Sequence, residues 1–159
     1  MNTSRTLNPA KRVGYAFLSL LAGQAALLLF LLQNAFRARA LLLAEHMGQP
    51  AGQIPQAFET FFIYAVFSFA GWLLVALPTA LFFPARSITG LPWVLRLLLG
   101  AALGPLALFL IFVLLAHGHL EFPATFRGMG VEWVYSILVS TVSFVLYGAL
   151  LGKKGVERT

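Results

Sequence analysis

Four runs of twenty or more mostly apolar residues exclude most folds at once: Val13 to Leu32, Phe61 to Phe83, Trp93 to Ala116 and Val131 to Leu151. The hydrocarbon core of a bilayer is about 30 Å thick and is crossed by about 20 residues of helix, so each run is long enough to span it. Barrel strands would alternate apolar and polar residues. Leu27 to Leu32 and Leu106 to Leu115 do not alternate, since they are apolar on every side. With 60% hydrophobic and 10% charged residues, the chain lies far from the roughly 25% charge of soluble domains. The expected fold is an all-α integral membrane protein, four transmembrane helices in an antiparallel bundle with both termini cytoplasmic, forming one domain over residues 1–159.

The third run carries Gly100-Ala101-Ala102-Leu103-Gly104-Pro105. Glycines at i and i+4 share one helix face and let a neighbouring backbone approach, which matters in lipid, where close packing drives helix association. Gly100 and Gly104 are therefore expected to face another helix. Pro105 has no N–H to give the Ala101 carbonyl, which predicts a kink.

The net charge of +6 matters here for its placement. With the N-terminus inside, Arg5, Lys11, Arg12, Arg86, Arg96, Lys153, Lys154 and Arg158 lie on the cytoplasmic side, against Arg37, Arg39 and Arg127 on the other. That bias places both termini in the cytoplasm and the chain, as a multi-pass protein, in the cell (inner) membrane. The basic residues read as anchors to anionic headgroups, and no nucleic-acid partner is indicated. The absence of cysteine excludes disulfides, thiolate metal sites and a Cys nucleophile.

Met1 to Lys11 reads as a disordered lead-in, and the first run is too long for a signal-peptide core. The first helix is expected to continue toward Glu45, as a stalk or along the interface, because no breaker precedes Gly48. Pro55 suits the first position of the second helix, Pro78 predicts a kink in it, and Pro84 to Pro92 reads as a short polar turn. Arg96, at the membrane edge, is expected to snorkel to phosphates.

No charged side chain falls in mid-membrane, so acid–base chemistry has no obvious seat. Glu45, His46, Glu59, His117, His119, Glu121 and Glu132 all gather at the outer edge. His117, His119 and Glu121 offer enough nitrogen and oxygen ligands for a metal ion, although such loops also collect polar residues for solvation alone. Glu121 with Glu132 as a protease pair lacks supporting motifs, and the histidines lie too near one surface for a haem bundle.

The stronger pattern is a stripe on the fourth helix, Glu132, Ser136, Ser140, Ser143 and Tyr147, at spacings of three and four. Thr60, Tyr64, Ser68 and Gly71 repeat it on the second helix, and Tyr15, Ser19, Gly23 and Ala26 on the first. Such faces serve helix packing, or they line a polar pathway. Counting along the spans puts Gln24, Ser68, Gly104, Pro105 and Ser140 at similar depth, so Gln24, Tyr64, Ser68, Ser136 and Ser140 are the candidate ligand-binding residues. Gln24, the one side-chain amide well inside a span, is expected to turn into the bundle and bond a serine or a freed carbonyl.

These observations suit a non-enzymatic protein that needs no cofactor, a binding or assembly subunit of a membrane complex or of a homo-oligomer. Its expected partners are the lipid bilayer and other membrane subunits or itself. The alternatives are a small transporter or lipid-like-ligand carrier using the serine and glutamine layer, and an outer-face metal-dependent enzyme.

Overall fold

Asn8 opens the first helix by accepting from the Ala10 N–H at 3.0 Å, and Pro9 takes the first helical position, where a missing N–H costs nothing. In this computed structural model, which describes residues 8–44, 52–115 and 130–156, α1 runs over Pro9–Ala44. Residues 9 to 11, expected in a disordered lead-in, are thus helical because Asn8 and Pro9 form an N-terminal cap. The 36 residues of α1 measure about 54 Å, well over one bilayer core.

The second long helix is built in three parts: α2 over Gln53–Gly71, a π-helical turn over Trp72–Ala76, and α3 over Leu77–Phe82. Pro55 stands two residues inside α2 rather than at its start. The irregularity expected at Pro78 falls one turn earlier, and its cause is local. Proline cannot donate to the carbonyl four residues back and its ring crowds that carbonyl, so the preceding turn widens. Leu77 donates to the Trp72 carbonyl, and the Thr79 hydroxyl bonds the Val75 carbonyl at 2.6 Å.

Phe83 is extended, as the residue before a proline prefers, and α4 over Ala85–Thr89 replaces the expected polar turn with a helical one. Two further helices follow, α5 over Trp93–Leu115, continuous through Pro105, and α6 over Gly130–Val156. Four helices are long and apolar enough to cross a membrane: Pro9–Leu43, Gln53–Phe82, Trp93–Leu114 and Gly130–Gly152. No strand occurs among the described residues. Large apolar side chains such as Leu29, Val66, Phe82 and Leu98 are exposed, which is compatible with contact to a lipid bilayer.

Helix α6 packs densely on α5 and on α1, and α1 packs on α2 and α3. The seam between α2 and α5 is looser, and α3 leans on α1 rather than on α5. Two apolar clusters divide the interior. Leu20, Leu27, Leu31, Ala35, Ala57 and Val139 form one, and Ala16, Ala80, Ile88, Tyr147 and Leu151 form the other, toward the chain termini. Trp72 packs against both.

Candidate functional site

Glycine decides where these helices touch. A Cβ on Gly104 would land on the Ser136 carbonyl oxygen and the Ser140 hydroxyl, and one on Gly100 would lie 2.8 Å from the Thr141 Cα. The Ser140 hydroxyl donates across this seam to the Gly100 carbonyl at 2.6 Å. On the other flank of α6, a Cβ on Gly23 would run into Ser143 and the Val139 carbonyl. With α1 and α5 drawn so close to α6, the space that remains lies between α6 and the π-helical part of the second helix.

That space is a cavity of about 130 Å³. Its wall follows α6 from Tyr135 to Tyr147, about 18 Å of helix, and includes Ser19, Trp72, Thr79 and Gly104 from the facing helices. Four of the five sequence-predicted ligand residues, Tyr64, Ser68, Ser136 and Ser140, are on this wall. Gln24 is placed in a shallow groove between α1 and α2, against Phe17, Phe62 and Phe69. Its amide nitrogen donates to the Ser68 hydroxyl at 3.1 Å and the Ala65 carbonyl at 3.3 Å. Ser68, placed between that groove and the cavity, joins the two.

Most wall hydroxyls are already engaged. Ser19 donates to the Tyr15 carbonyl at 2.7 Å, Ser68 to Ala65 at 3.1 Å and Ser136 to Trp133 at 2.9 Å. Two buried polar atoms of wall residues have no partner, Trp72 Nε1 and Ser143 Oγ, the latter packed against Gly23 of α1. Unpaired buried polar groups cost about 1–3 kcal/mol each, and native proteins carry few of them. The Tyr147 hydroxyl, on a side chain only 5% exposed, is bonded to Arg12. The wall has no Asp, Glu, His, Lys or Arg, so it offers no acid–base pair.

Charged groups close the cavity's two ends instead. At one, the Tyr64 hydroxyl interacts with the Glu132 carboxylate, and the Tyr64 and Tyr135 rings meet edge to face at 4.9 Å. At the other, Arg12 is 8% exposed and donates to the Phe83 carbonyl and to the Tyr147 hydroxyl. Arg96 does not reach outward toward phosphates. It turns back on its own connection, donating to the Leu91 carbonyl at 3.0 Å and the Thr89 carbonyl at 2.7 Å, and lies over Gly148.

Sequence reasoning missed Arg12 and Trp72. Arg12 begins a stripe of buried residues continuing through Ala16, Leu20, Gly23, Leu27, Leu31 and Ala35, so its spacing pointed to the interior. Trp72 stands four residues after Ser68 and eight after Tyr64, so its spacing too placed it on their face. Ser143 and Tyr147 stood on the predicted stripe without being assigned a ligand. The proposed metal ligands His117, His119 and Glu121 lie outside the described residues, as do Glu45 and His46. Among the described residues no three His, Cys, Asp or Glu side chains are grouped to hold a metal ion. No family model matches this sequence, and no curated protein or solved structure is significantly similar to it.

Proposed function

We propose that this is a non-enzymatic protein of the cytoplasmic membrane whose four spans form one antiparallel bundle, termini inside, and bind a small lipid-soluble molecule in the bundle interior. Support for the antiparallel arrangement comes from the pairing of Gly100 with Thr141 and Phe144, and of Gly104 with Ser136, which reverses the chain order. The cytoplasmic termini rest on the distribution of Lys and Arg.

One observation carries the binding reading: a cavity of about 130 Å³ inside the bundle, lined by aromatic rings and by hydroxyls. Packing alone gives no reason to keep such a space, since a void in the interior opposes the packed state unless something fills it. A ligand that does so stabilises the bundle by mass action. The absence of Asp, Glu, His, Lys and Arg from the wall favours binding over catalysis.

The test is native mass spectrometry of the full chain extracted from its own membrane. The expected spectrum shows the chain with a small organic molecule bound, released on activation in the gas phase. A bare chain that instead travels with a second polypeptide would replace this reading with that of an assembly subunit.

A further inference from the structure

Glu132 stands in the first turn of α6, three and four residues before Tyr135 and Ser136, so it shares the face that lines the cavity and closes the end remote from the chain termini. Its carboxylate accepts from the Tyr64 hydroxyl, which fills one of about four acceptor positions. Among the described residues no Lys, Arg or His forms an ion pair with it. A carboxylate at the mouth of an apolar cavity, with no cation of its own, has the strongest unmet attraction in this part of the bundle.

Aromatic rings share that mouth. Tyr64 and Tyr135 both line the cavity, and their rings meet at 82° with centroids 4.9 Å apart. Two rings at right angles offer negative faces in two directions, as the aromatic cages that hold organic cations do. A phenol that donates to a carboxylate has a more electron-rich ring, so the bond to Glu132 makes the Tyr64 face a better partner for positive charge.

The rest of the wall presents mostly carbon. Ser19, Ser68, Thr79, Ser136 and Ser140 already donate to backbone carbonyls, which leaves an apolar body to lie among Phe67, Trp72 and Phe144. The volume of about 130 Å³ is close to that of engineered apolar pockets that admit benzene, enough for one ring-sized body. The opposite end decides the sign of the charge. Arg12 repels a cation from there, and it offers an anion little access, being 8% exposed and engaged by the Phe83 carbonyl and the Tyr147 hydroxyl. Glu132 is only partly buried, so a cation can reach it.

On the reading that the cavity binds a ligand, we propose that its occupant is a free organic ammonium ion with an apolar body. The charge rests between the Glu132 carboxylate and the faces of Tyr64 and Tyr135, and the body extends into the cavity. A choline lipid carries the same trimethylammonium group, but it brings a phosphate that Glu132 repels.

The experiment uses the purified full chain in a nonionic detergent at constant ionic strength, with two probes of one shape: benzyltrimethylammonium, and neopentylbenzene, in which carbon replaces the charged nitrogen. Affinities come from the dose dependence of thermal stability, with helicity followed by circular dichroism. The cation should bind saturably, and Glu132→Gln should weaken it about tenfold or more while leaving neopentylbenzene unchanged. Tyr135→Leu should weaken the cation about threefold. Benzylphosphocholine, which models a choline headgroup, should bind more weakly than the cation, and tighter binding would overturn the assignment in favour of a lipid. Unchanged cation affinity in Glu132→Gln, or a wild-type chain that takes neopentylbenzene alone, would overturn the ammonium assignment while leaving cavity binding in place. Binding of neither probe to a fully helical chain would overturn both.

Discussion

Replacing Gly104 with alanine would put a Cβ onto the Ser136 carbonyl oxygen and the Ser140 hydroxyl, where no carbon can stay. Neither neighbour is the free end of a flexible chain: one is backbone, and the other belongs to a short side chain bonded to the Gly100 carbonyl at 2.6 Å. Carbon contacts relax only at about 3.5 Å, so α5 would have to withdraw from α6 by about 1 Å. Overpacking of this kind costs about 1–3 kcal/mol, and loss of the Ser140 bond adds about 0.6 kcal/mol. Alanine returns about 1 kcal/mol through its helix propensity. The net loss is about 1–2 kcal/mol, or about 2–8 °C in Tm for a chain of this size. Gly14 supplies the control, since nothing lies within 4 Å of a Cβ built there. Thermal unfolding in one detergent, followed by circular dichroism, should show Gly104→Ala lowered and Gly14→Ala unchanged or raised. If Gly104→Ala melts with or above Gly14→Ala, the α5 to α6 seam is not held by close backbone approach, and this packing account fails.

Three further predictions use the same assay or a topology reporter. Tyr147→Phe removes a buried hydroxyl bonded to Arg12 while keeping the ring, so the protein should lose about 1–2 kcal/mol; an unchanged or raised Tm would show that the two are not paired. Arg96→Met removes two charge-assisted bonds to the carbonyls of Thr89 and Leu91 and should cost about 2 kcal/mol, whereas an unchanged Tm would show that the arginine does not hold the connection. Reporters fused at Met1 and Thr159 should behave as cytoplasmic and one inserted at Gly52 as external; a cytoplasmic Gly52 would reverse the orientation drawn from the basic residues.

The four helices were legible because lipid imposes a length and a polarity on anything that crosses it, and Leu106 to Leu115 meets both without ambiguity. Distances between helices were less so. A sequence shows that Gly100 and Gly104 share a face, but which backbone comes to them depends on the whole bundle. Arg12 was read by its position along the chain, as a headgroup anchor, when its register with Ala16, Leu20 and Leu27 placed it on the packed face. The π turn was not legible at all. Pro78 marked its neighbourhood, yet the choice between a kink at the proline and a widened turn before it depends on what Trp72 packs against. The Trp72 indole itself follows Tyr64 and Ser68 at ordinary helical spacing, beside a serine stripe whose members mostly bond their own backbone.

The most direct test of ligand binding is density in the cavity of an experimental structure determined from protein extracted without exchange of its native lipids. Continuous density larger than a water molecule, lying against the aromatic side chains of the cavity wall, is the predicted result. An empty cavity, or isolated waters alone, would contradict it.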